Sequence, residues 1–346
     1  MKRRTPILLA AATATVTLIS VGASATAHAA PSRSSSLPQY LFAPYYETYD
    51  TSTDMAAQSQ QSGAHYLSLA FLETATAGSC TAYWNGDTTL PIASSSYGTD
   101  IAAIQAHGGN VIPSFGGYTA DTTGTDIADS CDSVDSIAQV FESLITTYNV
   151  PRIDLDVEGT SVTNTAGINR RNEAIAETQA WAAAHGRSIQ FSYTLPTNPT
   201  GLPAAELSVL QNAVADGAVI SSVNLETFDY YIGTQQNMLT DTVQAATALV
   251  GQLKTLYPND SASQLWHLVG ITEMPGIDDF GPDETFTEAD AVAVAAWARV
   301  KGVGMLSFWA LQRDNGGCPG TKGAGTCSGV TQPNWFFSHV FELYGL

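Results

Sequence analysis

Arg152-Ile153-Asp154-Leu155-Asp156-Val157-Glu158-Gly159 is the stretch on which the reading of this chain turns. Ile153, Leu155 and Val157 alternate strictly with Asp154, Asp156 and Glu158, and this period of two predicts a strand with one apolar and one acidic face. At about 3.3 Å of rise per residue, neighbouring acids stand roughly 7 Å apart before their side chains bend together. Like charges that close do not all ionise cheaply, so the three carboxyls are expected to share protons and titrate as a group. A carboxyl still protonated near neutrality is what a general acid requires. A solvated acidic face or a cation site is the other use of such a pattern.

Outward from this strand, short β-branched or aromatic runs recur at 40–43, 65–71, 110–115, 188–194, 222–229, 265–272 and 304–310. Between them lie helix-forming stretches at about 51–62, 95–107, 134–148, 166–185, 203–215, 237–257 and 286–300, with a last one near 333–344. Eight strand–helix units in even alternation, without a solenoid repeat or an internal linker, predict an α/β protein: a single-domain (β/α)8 TIM barrel. In such barrels the chemistry sits at the carboxyl ends of the strands. Those ends carry Ser114-Phe115-Gly116-Gly117-Tyr118, Glu158, Glu226-Thr227-Phe228-Asp229-Tyr230-Tyr231 and Phe308-Trp309, a gathering of polar and aromatic groups suited to a sugar.

The first residues read as targeting rather than fold. Lys2, Arg3 and Arg4 precede an apolar run from Ile7 to Val21, and small residues follow up to Ala30. This is the pattern of a secretory signal peptide spanning 1–29, followed by a flexible Ser/Pro-rich tether at 30–38 and the barrel at 39–346. The apolar run is short and no stop-transfer pattern follows, so a free extracellular protein without a membrane anchor is expected. Thirteen basic against 32 acidic residues give a net charge of −19, which argues against nucleic acid or an anionic membrane as partner. Four cysteines in an exported chain predict two disulfides, and Cys80–Cys131 with Cys318–Cys327 is the favoured pairing. Zinc is disfavoured, because the six histidines are scattered and no close Cys-x-x-Cys pair exists.

Asp154, Asp156 and Glu158 match the last three acids of the Asp-x-x-Asp-x-Asp-x-Glu signature of glycoside hydrolase family 18, the chitinases. Ser114-Phe115-Gly116-Gly117 matches the family's Ser-x-Gly-Gly on the third strand, and Asp229-Tyr230 an Asp-Tyr that closes strand six in many bacterial members. Ser307-Phe308-Trp309 and Arg313-Asp314-Asn315 resemble the bacterial chitinase ending. The motifs occur in the family's order over essentially the whole mature chain.

The resemblance implies hydrolysis with retention and no enzyme nucleophile, in which the substrate's own acetamido group attacks. It implies Glu158 as acid and then base, Asp156 orienting the acetamido group, and Asp154 holding a proton shared with Asp156. It further implies Tyr230 (or its competitor Tyr231) bonding the acetamido oxygen, and Trp309 flooring the pocket unless it is simply packed. Ser114 would bond Asp154, Gly116 and Gly117 would allow close backbone approach, and Tyr45 would either support the deep acid or pack. Trp84, Tyr118 and Trp335 are candidates for stacking on outer sugars. No cofactor or metal is called for, and a monomer is expected.

Two departures from the family pattern stand out. Pro151 replaces the first acid of the signature, and Glu226 stands where many members carry methionine. Period two aims Glu226 into the barrel, either to raise the coupled acidity constants or to bond substrate. About a dozen residues between strand seven and its helix leave no room for a large α/β insertion, so a shallow groove and internal, weakly processive cutting are expected. Without an appended carbohydrate-binding module, crystalline substrate should be a poor one. The expected activity is an extracellular endochitinase on β-1,4-linked N-acetylglucosamine. An endo-β-N-acetylglucosaminidase acting on N-glycan cores and a non-catalytic chitin-binding lectin or inhibitor on the same barrel are the alternatives.

Overall fold

Pro44 interrupts the first barrel strand, because proline offers no N–H to a ladder. A computed structural model describes residues 37–345; the expected signal peptide, and the tether up to residue 36, lie outside the described residues. In chain order the strands are β1 (Leu41–Phe42), β2 (Tyr45–Glu47), β3 (Tyr66–Thr74), β4 (Ala82–Trp84), β5 (Asn110–Gly116) and β6 (Arg152–Asp156). They continue as β7 (Gln190–Pro196), β8 (Ser222–Glu226), β9 (Val269–Glu273), β10 (Gly276–Ile277), β11 (Thr285–Phe286) and β12 (Met305–Phe308).

The sheet runs β1-β12-β9-β8-β7-β6-β5-β3-β2, parallel throughout, with β4 added antiparallel to β3. The two halves of the interrupted strand close it. Ala43 N–H donates to the Leu306 carbonyl at 3.1 Å on one side, and Ser68 N–H donates to the Pro44 carbonyl at 2.9 Å on the other. The expected (β/α)8 barrel is therefore present.

The helices are α1 (Met55–Ser62), α2 (Gly98–Ala106), α3 (Gly117–Thr123), α4 (Ile127–Ser130), α5 (Val134–Tyr148) and α6 (Thr165–Ala184). After them come α7 (Ala204–Asp216), α8 (Met238–Leu256), α9 (Ala262–His267), α10 (Glu288–Lys301) and α11 (Phe336–Glu342). Local chemistry sets their ends. Ser133 caps α5 by accepting from Ser136 N–H, and Thr287 with Asp290 forms a capping box on α10.

All of β6 is buried, and the predicted alternation sorts its two faces. Ile153 and Leu155 join the apolar layer between sheet and helices, where Phe141 packs edge-on to Phe115 and Phe191 at 5.3 and 5.4 Å. Each such buried side chain contributes about 1.5–3 kcal/mol. Asp154 and Asp156 face the barrel axis instead. Register lines the axis with polar neighbours: Ser114 pairs with Asp154, Asp154 with Ser192, Asp156 with Thr194, and Thr194 with Asn224.

Several boundaries differ from expectation. β6 stops at Asp156 and β8 at Glu226, short of the predicted 158 and 229. The predicted strand over 265–272 begins instead as α9, started by a capping box between Ser261 and Gln264, and only Val269–Glu273 is extended. Between β9 and α10 there is only the β10–β11 ribbon, so no large insertion follows the seventh barrel strand. Both expected disulfides form, Cys80–Cys131 tying the loop after β3 to the end of α4, and Cys318–Cys327 closing the loop after β12.

Candidate active site

Asp154 is the deepest of the three acids and is saturated with donors. Ser114 Oγ and Tyr45 Oη each donate to its Oδ2 at 2.8 Å, and Ser192 Oγ donates to Oδ1 at 2.6 Å. Burial raises its pKa, while these hydroxyls pull in the opposite direction by stabilising the anion. Tyr45 and Ser114 thus both bond the deep acid.

Asp156, one pleat closer to the mouth, is 3 % exposed and its Oδ1 has no partner. Its pKa stands well above the ordinary range, first because of burial and then because of Glu226, Glu158 and Asp154. Glu226 reaches inward from β8 as period two predicts and stands beside Asp156, and burial, then Glu158, raise its pKa well above the ordinary range. Carboxylate oxygens of Asp156, Glu158 and Glu226 all lie within 4.8 Å of one another. Hydroxyls surround Asp154, whereas Asp156 keeps an unpartnered oxygen and stands beside Glu158 and Glu226. This trio, and a second made of Asp121, Asp126 and Asp129, have the spacing of a cation site.

Glu158 stands just beyond the strand end and is half-buried. Burial pushes its pKa to about 7, and the nearby Tyr118 main-chain N–H acts in the opposite sense. Its own main-chain N–H donates to the Asp121 carboxylate.

Gly116 and Gly117 are required by both conformation and space. Their φ values are +96° and +80°; a Cβ would lie 2.0 Å from the Asp156 carbonyl oxygen at the first and 2.6 Å from the Phe71 ring at the second. Phe71, which sequence reasoning missed, stacks on Trp309 with ring centres 5.6 Å apart and planes 10° apart. Tyr45 lies 5.6 Å from the same indole, so Trp309 is a half-buried aromatic surface held from behind.

The loop after β8 rearranges the expected roles. Asp229 sits at φ +50°, its N–H donating to Asp278 Oδ2 at 3.1 Å. Burial, then Asp278 and Asp279, push its pKa to about 8. Tyr230 does not face the acids. Its N–H donates to Glu284 Oε2 at 2.7 Å, and its buried ring places the hydroxyl near Glu273, Asp241 and Thr242. The exposed tyrosine is Tyr231, packed edge-on to Phe280 and near the exposed Tyr118.

Trp84 is fully buried, with its Nε1 donating to Tyr148 Oη at 3.1 Å, and offers no sugar platform. Trp335, with Gln312 and Asn315, lines a separate cavity of about 270 Å³. Arg313 and Asp314 are structural. Arg313 donates to the Pro275 and Ile277 carbonyls at 2.9 Å each, and Asp314 accepts from the Phe337 and Ser338 N–H groups that open α11.

No protein-family model matches the chain. It is 31 % identical over 319 residues to a probable bifunctional chitinase/lysozyme of Escherichia coli (strain K12), covering 89 % of this chain and 35 % of that protein. It is also 31 % identical over 286 residues to endochitinase 11 of Metarhizium anisopliae, covering 80 % of this chain and 53 % of that protein. The chain thus spans about a third to a half of the length of these relatives. Among solved structures, catalytic-site mutants of active domain 2 of a chitinase from Pyrococcus furiosus superpose with a TM-score of 0.77 at 26 % identity. The match covers 89 % of this chain and 95 % of that one, and a complex of the same domain with chito-oligosaccharides matches equally.

Proposed function

The chain belongs to glycoside hydrolase family 18, and we propose that it hydrolyses β-1,4 linkages between N-acetylglucosamine units of chitin, cutting internally with retention. The observation that carries this reading is the packing of Asp156, Glu158 and Glu226 within 4.8 Å, at the strand ends of the barrel. A group protonated up to about pH 7 beside a second acid whose proton can be shared is what substrate-assisted cleavage needs.

Glu158 gives its proton to the glycosidic oxygen as the bond from C1 to that oxygen breaks. The acetamido carbonyl oxygen of the same sugar forms the new bond to C1, and the positive charge becomes an oxazolinium ion. Asp156, its proton held by Glu226, accepts from the acetamido N–H and offsets that charge. Glu158, now a carboxylate, takes a proton from the water that reopens the ring, restoring the starting enzyme and a β-configured product. Asp154 and its hydroxyl donors fix Asp156 from below, and Trp309 supports the distorted sugar. No metal is assigned a step.

With only the β10–β11 ribbon after β9, one wall of the groove is low, which favours binding in mid-chain. Release of dimer alone from chain ends would contradict internal cutting. The two disulfides and the leader pattern of residues 1–29 support work outside the cell. The test of the activity is Glu158→Gln, with turnover and binding of N-acetylglucosamine hexamer measured together. Turnover falls by about a thousandfold or more while binding persists; unchanged turnover removes the assignment.

A further inference from the structure

A second buried acidic group lies beside the reacting carboxyls and has no part in the steps above. Asp121 on α3 is 0 % exposed; one of its oxygens accepts the Glu158 N–H, and Oδ1 has no partner. The loop leaving Glu158 is anchored to the same frame. Thr160 Oγ1 donates to the Asp121 carbonyl at 2.6 Å, Ser161 Oγ to the Asp129 carboxylate, and Asn164 Nδ2 to Asp129 Oδ1 at 3.0 Å. Asp126 caps α4, and Arg171 of α6, fully buried, donates to Asp126 Oδ1 at 2.6 Å and lies 3.7 Å from Asp129.

Three carboxyls and a guanidinium in the interior are costly, and apolar packing of equal volume is often as stable. What this arrangement secures is the acid-bearing loop. Helix α3 holds Glu158 through Asp121, whose carboxylate takes its main-chain N–H. The approach is close because Gly116 has no side chain; a Cβ there would stand 3.3 Å from Asp121 Oδ1.

We propose that Asp121 is a positioning residue for the general acid, holding the Glu158 backbone and titrating together with the catalytic carboxyls. Burial, and then Asp126, raise the Asp121 pKa well above the ordinary range, and where Asp121 ionises it raises the proton affinity of Asp156 and Glu226, so its replacement moves the pH dependence, which a purely structural brace would not. The inference rests on Glu158 being the acid, and that premise fails separately, by unchanged turnover in Glu158→Gln.

The test uses Asp121→Ala and Asp121→Asn in the full chain, with kcat, KM and pH–rate profiles on an N-acetylglucosamine oligomer. Asparagine keeps an acceptor for the Glu158 N–H, so Asp121→Asn retains kcat within about threefold but moves the profile to lower pH by about half a unit or more. Alanine removes the acceptor, so Asp121→Ala loses about 10- to 100-fold in kcat with KM within about threefold. Should the alanine variant not fold, the asparagine variant decides alone. Wild-type kcat in Asp121→Ala, or a profile for Asp121→Asn that overlays the wild type, overturns the proposal.

Discussion

Replacing Gly116 by alanine puts a methyl group where β6 leaves no room. The residue sits at φ +96°, and its Cβ would lie 2.0 Å from the Asp156 carbonyl oxygen, against the 3.0 Å that real Cβ atoms respect. About 1 Å must then be made up by backbone, and Gly116 is paired directly with Asp156. Positive φ costs a residue with a Cβ about 1–2 kcal/mol, and overpacking adds about 1–3 kcal/mol. The sum, about 2–5 kcal/mol, lowers Tm by roughly 3–8 °C in a chain of this size. A displacement near 1 Å at the acids costs about a hundredfold in kcat. Gly186, just past α6, is the control, since its φ is +66° and nothing lies within 4 Å of an added Cβ. Gly186→Ala should show the strain cost alone, with wild-type kcat. The assay pairs thermal melting with initial rates on N-acetylglucosamine oligomers for both variants. If Gly116→Ala behaves like Gly186→Ala in melting and rate, the packing argument is wrong.

Other outcomes follow from the acids. Glu158, pushed up to about 7 by burial, must be protonated to act, so kcat/KM falls as pH rises through about 7; a flat profile to pH 9 contradicts this. Glu226→Gln removes the titrating carboxyl that raises the proton affinity of Asp156, so the pH–rate profile moves to lower pH, and an unmoved profile rejects the coupling. Glu273, fully buried with its pKa raised to about 8 by burial, is uncharged in the folded barrel, whereas it is an ordinary glutamate when unfolded. A raised carboxyl pKa gives stability that is complete below the unfolded value and lost as pH rises through the folded one. Melting temperature therefore drops between pH 4.5 and about 8 more steeply in wild type than in Glu273→Gln, and equal slopes refute the assignment.

Much of the site was legible because β6 alternates without a break. Strict period two placed Asp154 and Asp156 on the axis, and the same parity placed Glu226 opposite them. Parity fails where strands end. β8 stops at Glu226, and the positive φ of Asp229 turns the chain, so extrapolation gave Tyr230 a place in the cleft that falls instead to a buried position beside Glu273. Asp121 and Phe71 were invisible for a different reason. Each acts through a contact distant in sequence, Asp121 on Glu158 and Phe71 on Trp309, which no local pattern signals. Trp84 misled because its indole finds Tyr148 on α5, a partner that no local pattern announces. At α9 the decisive signal was present in the Ser261–Gln264 capping box, but the apolar Leu265, Trp266 and Leu268 read more strongly as strand.

The anomer released first is the most direct measure of whether the sugar itself supplies the attacking oxygen. Proton NMR on N-acetylglucosamine hexamer, recorded before mutarotation, should show the new reducing end in the β form. An initial α product would mean a single displacement by water, and Asp156 and Glu158 would then need other roles.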